Sequence, residues 1–129
     1  MENNKNYEAT IIEGNADMSA KEKLNFLNLS DAKSLDELTK EGGSYEIQKV
    51  ESYARVAIHN EKADNKDYEV LVIVDADGNR FRTGSLAFYN SFMEIYEAMT
   101  DAGEDFGLKC YRVPSKNYQG RDFLSCSVI

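Results

Sequence analysis

The sequence predicts a mainly β domain with one long helix and an N-terminal extension. Three observations carry this. From Tyr45 onward, runs rich in β-branched and aromatic residues alternate with polar ones. A single stretch, residues 85–103, switches to a helical period. Turn signals such as Asp77-Gly78 separate the runs at short intervals. With 129 residues the chain is about one domain, long enough to bury a core without disulfide staples.

Residues 1–44 differ in kind from the rest and read as an arm packed on the domain. YEATII (Tyr7 to Ile12) is a short strand, while MSAKEKLNFLNL is compatible with a helix and with a turn-rich strand. SLDE (Ser34 to Glu37) has the spacing of a capping box, in which hydroxyl and carboxylate satisfy each other's backbone amides. It predicts a single helical turn, closed by Gly42–Gly43.

YEIQKVESYARVAIHN, from Tyr45, is one long strand. Ile47 and Val50 are out of phase for strict alternation, so a bulge is expected near Gln48–Lys49, letting the strand curl. After the polar loop Glu61–Lys66, DYEVLVIV is apolar on both faces over Val70–Val74 and belongs in the middle of a sheet. ADGN is a hairpin turn and RFRT (Arg80 to Thr83) the returning strand. Phe88, Phe92, Ile95 and Met99 then fall on one helical face, with Ser85 as N-cap and Gly103 as stop. FGLKCYRV and RDFLSCSVI are two further strands around the loop Pro114–Gly120. Three consecutive antiparallel strands, a helix and a closing hairpin describe a five-stranded OB-fold β-barrel over residues 45–129. A mixed α+β sheet with one covering helix is the competing architecture.

Charge is segregated along the chain. The net charge is −8, yet from Gly107 to Arg121 there are four bases and no acids, while residues 83–106 hold five acids and no base. Phosphate binding follows local potential and not the sum. In an OB barrel, oligonucleotides lie across the second and third strands between the loops that follow strands one and four. The basic stretch with Tyr118 falls on the second of those loops. Unpaired strands require positive potential for phosphates and flat rings for bases. Arg55, Arg82, Lys109, Arg112, Lys116 and Arg121 are the phosphate candidates, and Tyr53, Tyr111 and Tyr118 the stacking candidates. For Tyr111, cross-strand packing is an equal alternative. Tyr89, Tyr96 and Phe81 are expected in packing roles.

Other signals have plain readings. DADG (Asp75 to Gly78) resembles the start of a calcium loop, but the twelfth position is Leu86 where an EF-hand has glutamate, so a hairpin turn is expected. One histidine, His59, and two cysteines without metal-ligand spacing argue against zinc. Cys110 and Cys126 are equidistant from Tyr118, so a regular hairpin would set them face to face as buried, reduced thiols. Neither a nucleophile elbow nor a phosphate-cradling glycine loop occurs, which disfavours a small enzyme. Asn28-Leu29-Ser30 has the form of a glycosylation acceptor, without meaning in a cytosolic chain. No signal peptide or membrane span is expected.

In their order, FLNLSDAKSLDELTKEGGSYEIQKVESYARV, VLVIVDADGNRFRTGS, the helix, and LKCYRVPSKNYQGRDFLSCSVI are similar to phage-encoded single-stranded DNA-binding proteins of tailed phages of Gram-positive bacteria. The matching features are Asn28, Ser34–Leu35, Asp77–Gly78, Ser85, and the closing hairpin with Ser115, Lys116, Gly120 and Phe123. The resemblance implies sequence-independent coating of single-stranded DNA during phage genome replication in the cytoplasm of the infected bacterial host. It implies no catalytic activity and no cofactor, and phage replication proteins as further partners. It sets no oligomeric state. A reading of another class is a small phage protein-interaction module, an inhibitor of a host factor or a virion accessory. Such a module would act through its acidic helix and arm.

Overall fold

The computed structural model describes residues 7–14, 19–62, 64, 66–116 and 120–129. Among these, eight strands and three α-helices follow one another. They are β1 (Tyr7–Gly14), α1 (Ala20–Leu27), β2 (Lys33–Ser34), α2 (Leu35–Leu38), β3 (Tyr45–Ile47) and β4 (Val50–Asn60), then β5 (Asp67–Asp75), β6 (Arg80–Thr83), α3 (Leu86–Ala102), β7 (Leu108–Pro114) and β8 (Asp122–Val128). The chain is mainly β, as its residue pattern requires.

The expected long strand is interrupted at Gln48–Lys49, where the bulge was predicted, and the break has a larger effect than a curl. Its short N-terminal part, β3, pairs with β7 in a sheet of order β3-β7-β8. Its long part, β4, pairs with β5 and β1 in a sheet of order β1-β4-β5-β6-β2. All pairings are antiparallel except β2 with β6. Val50 N donates to Phe106 O at 2.8 Å across the crossing point. Gly107 lies so close that a Cβ there would sit 2.4 Å from Gln48 O and 2.5 Å from Ile47 O.

The mainly β expectation holds, but the five-stranded barrel is not closed: the strands form two open sheets. Closure would need β6 to pair with β8. Instead β2 occupies the free edge of β6, and α3 packs its apolar face on β8. The helix is built as its spacing predicts. Ser85 Oγ accepts from Phe88 N at 3.1 Å, Phe88 and Phe92 are fully buried, and Gly103 ends the helix at φ +70°.

Two cores result. The main one lies between the sheets and α3, and includes Tyr53, Ile73, Phe81, Phe88, Phe92, Leu108, Cys110, Leu124 and Cys126. The second lies on the opposite face of the five-stranded sheet, where Phe26 of α1 covers Ala54, Val56, Ile58, Val70 and Val72. This explains why β5 is apolar on both sides. Leu71 and Ile73 face one core, Val70 and Val72 the other.

Residues 19–42 are anchored by caps and by long-range arginines. MSAKEKLNFLNL resolves into the helix α1, and the reciprocal capping box forms there. Glu22 N donates to Ser19 Oγ at 3.1 Å, and Ser19 N to Glu22 Oε1 at 2.9 Å. At SLDE only the hydroxyl half forms, with Glu37 N donating to Ser34 Oγ at 3.3 Å. The single turn of α2 continues into a 3₁₀ turn, Lys40–Gly42, where Gly42 takes φ +79°. The Asp75 carboxylate organises the β5–β6 hairpin, accepting from Asp77 N at 3.0 Å and Asn79 N at 2.8 Å. The hairpin reading of DADG holds, with Gly78 at φ +86°.

The crossing point generates the first prediction. Gly107→Ala drives a methyl group into backbone rather than into a yielding side chain, and should cost about 1–3 kcal/mol. Urea unfolding measures it, and an unchanged midpoint would show that Gly107 does not constrain the crossing.

Candidate nucleic-acid interface

The β3-β7-β8 sheet has one face in the main core, and its other face carries no covering element among the described residues. Alternation sorts the side chains. Leu108 and Cys110 of β7, Leu124 and Cys126 of β8 and Ile47 of β3 point into the core. The outward set is Lys109, Tyr111 and Val113 on β7 with Phe123, Ser125 and Ser127 on β8. Tyr111 is opposite Ser125 and Val113 opposite Phe123, so Tyr111 and Phe123 are diagonal neighbours, roughly 7–8 Å apart. Phe123 is 40% exposed, unusual for a large apolar ring. It was not among the expected stacking residues, although outward alternation from buried Cys126 would have found it.

Cations lie along the same hairpin, Lys109 toward its base and Lys116 and Arg121 at its tip. Lys109 is exposed, and faces Glu46 across the β3–β7 ladder without an ion pair to it. Lys116 and Arg121 are exposed on either side of the tip, where Ser115 N donates to Arg121 O at 2.9 Å. None of the three makes an ion pair among the described residues. Tyr118 lies outside the described residues.

The other expected phosphate ligands serve structure. Arg112 bridges three segments, donating to Thr39 Oγ1 at 3.1 Å, Asp36 O at 2.8 Å and Asp122 Oδ1 at 3.1 Å. Its geometry suits a planar five-donor fork joining the α2 segment to the hairpin. Arg82 donates from Nε to Ala32 O at 3.3 Å. Arg80 does the same work beside it, reaching Asn25 O and Asp31 Oδ2. Arg55 pairs with Glu69 at 2.5 Å and lies 4.1 Å above the Tyr89 ring, in an open groove of about 380 Å³ on another side of the molecule. Its charge is matched locally. The Arg80 and Arg82 contacts hold α1 and the following turn over the outward face of β5 and β6, the face an OB barrel would present to an oligonucleotide.

Tyr53 lies within the main core. It is 5% exposed, edge-on to Phe92 at 5.3 Å and to Tyr96 at 4.7 Å. Burial, with Glu13 adding, pushes its hydroxyl up to about 12. A ring so enclosed has no face for a base. Tyr89, Tyr96 and Phe81 pack as expected, Phe81 fully buried.

His59 stands at the far end of β4, away from the hairpin. Nδ1 is 2.7 Å from Asp67 Oδ1, Nε2 is 2.5 Å from Glu61 Oε2, and Glu61 also meets Lys66 at 3.4 Å. Hydrogen bonds donated to Asp67 and then to Glu61 raise the imidazole above its ordinary 6.5. Glu61 is lowered by the same contact and by Lys66. The trio clips both ends of the Glu61–Lys66 loop. No described group of His, Cys, Asp and Glu residues has the arrangement of a metal site. No described helix is long and apolar enough to cross a membrane.

Because the folded histidine binds its proton more tightly than the unfolded one, its stabilising contribution is complete below about pH 6.5. It is lost as pH rises through the raised folded-state value. Thermal midpoints of wild type and His59→Gln, followed from about pH 5.5 to 8.5, should therefore differ most on the acid side and converge on the alkaline side. A difference independent of pH would show that folding leaves the proton affinity of the imidazole unchanged.

The hairpin thus combines two outward rings, hydroxyls and three cations in an otherwise acidic protein. No curated protein and no solved structure matches the chain. A family model does, that of the phage single-stranded DNA-binding protein, over residues 1–129. With that match extending over the whole chain, the protein belongs to the family of phage single-stranded DNA-binding proteins.

Proposed function

We propose that this protein coats unpaired DNA independently of sequence through the outward face of β7 and β8. The observation that carries the reading is the pairing of Tyr111 and Phe123 on an uncovered sheet face beside Lys109, Lys116 and Arg121. Rings bind bases through their π faces, which every base possesses, and cations bind phosphates. Neither contact reads sequence. Tyr118, between Lys116 and Arg121 in the sequence, is assigned as a third ring. The setting is phage genome replication in the cytoplasm of the infected bacterial host, with no catalytic role, no cofactor, and phage replication proteins as further partners.

The architecture is read as an OB-type domain over residues 45–129, with residues 1–44 as an arm packed on it. Supporting this, one kinked strand (β3 with β4) is shared by both sheets, and β5, β6, α3, β7 and β8 follow in OB order. The two sheets stay open where β2 occupies the edge that barrel closure would use.

The second reading, a protein-interaction module, draws on α3. Glu94, Glu97 and Asp101 are exposed along its outward side, and the helix contains no base. An anionic stripe of this kind suits a cationic protein surface.

Binding of fluorescent oligo-dT across a salt series separates the two. Three phosphate contacts predict a log–log slope near −2, at about −0.7 per contact for single strands. Lys116→Ala and Arg121→Ala should each flatten it by roughly 0.7. No binding at low salt, with a host protein retained after nuclease treatment, would replace this reading by the acidic-surface one.

The rings are tested separately. Tyr111→Ala and Phe123→Ala should each weaken binding by about 1–3 kcal/mol, roughly 5- to 150-fold, with the salt slope preserved. Phe123→Ala should lower the thermal midpoint only modestly, since the residue is 40% exposed and outside both cores. Unaltered affinity in both variants would remove bases from this face.

A further inference from the structure

Cys110 and Cys126 stand directly opposite each other on β7 and β8, 0% and 6% exposed within the main core. The ends of this ladder establish its hydrogen-bond parity. Gly107 and Ile129 exchange both N–H···O bonds at 3.1 Å, and at the other end Ser115 N donates to Arg121 O. Counting in twos between those ends, the exchanging pairs are Lys109–Ser127, Tyr111–Ser125 and Val113–Phe123. Cys110–Cys126 therefore falls at a non-hydrogen-bonded position. There the Cα atoms approach to about 4.5 Å and the side chains come closest, inside the roughly 4.4–6.8 Å range a disulfide spans. Both side chains leave the strands on the same face.

Their chemistry agrees with the geometry. Burial pushes each thiol up to about 12, and Cys126 adds to the shift of Cys110, as two neighbouring sulfurs would. In the closed fold the pair is inert, because the thiolate is the reacting form. β8 is an edge strand of its sheet, so local opening of β8 is the route by which a reagent reaches the pair.

We propose that Cys110 and Cys126 are a latent cross-strand disulfide, an oxidation site closed by exchange with a small-molecule disulfide such as glutathione disulfide. One thiol loses its proton, attacks the glutathione S–S bond and forms a mixed disulfide, releasing one glutathione thiolate. The second cysteine loses its proton, attacks the protein sulfur and releases the other. One Sγ–Sγ bond forms, one glutathione S–S bond breaks, and the two protons end on the two glutathione thiols. The bridge would cross-link the hairpin on its core side, behind the strands from Tyr111 and Phe123. It stands independently of DNA binding.

The test is an equilibrium one, so slow access to buried thiols does not bias it. The full chain is incubated in a fixed glutathione buffer, starting from reduced and from oxidised protein, with and without concentrated guanidinium chloride. After acid quenching and alkylation, intact mass gives the ratio of intramolecular disulfide to dithiol. A preorganised pair should show a ratio roughly tenfold or more higher in the folded chain than in the unfolded one. A ratio no higher when folded would mean that the fold opposes the bond, and would overturn the proposal.

Discussion

One strand belongs to two sheets, and the rest of the structure depends on how it crosses between them. At Gln48–Lys49 the backbone leaves the β3-β7-β8 ladder and enters the five-stranded one, with Gly107 pressed against the carbonyls of Ile47 and Gln48. Only a residue without Cβ permits that approach. The crossing turns the sheets toward each other, so that α3 and its phenylalanines fill the space between them. It also leaves the three-stranded sheet with one face in the core and one in solvent. The proposed DNA surface is that second face, a by-product of the same constraint.

The cations divide by the same geometry. A guanidinium that meets backbone carbonyls and a carboxylate in a half-buried place acts as a fastener, because removing it would leave several acceptors unpaired. Arg80, Arg82 and Arg112 do this for residues 25–39. Lys109, Lys116 and Arg121 are exposed, where a strongly charged ligand meets little desolvation cost. An acidic protein can thus hold a local positive rim, since its fastening arginines and its exposed cations answer to different neighbours. Residues 25–39 are held in place by bases that charge alone would assign to DNA.

Much of the fold was legible because its signals are local. The helix from Ser85 to Gly103, the Asp75–Asn79 turn, the central position of β5 and the facing cysteines all follow from spacing within one or two elements. The break near Gln48 was legible as a phase error. Its consequence was not, because phase within a strand does not say which partner each half will choose. β2 is two residues long and pairs parallel with β6, nearly fifty positions away. No periodicity in so short a segment could announce that it would take the edge needed for barrel closure.

For the candidate surface, the sequence by itself determined that positive charge and a ring concentrate between Gly107 and Arg121, and that the hairpin alternates. Tertiary structure alone decided which of six bases are exposed. A side chain's charge is local, but its partners come from wherever the chain folds back, as Asp36 and Thr39 do on Arg112. It also decided that Tyr53 is enclosed and Phe123 is not. Burial is a property of packed faces, and two aromatic residues on similar strands differ only in which side of a sheet another layer covers.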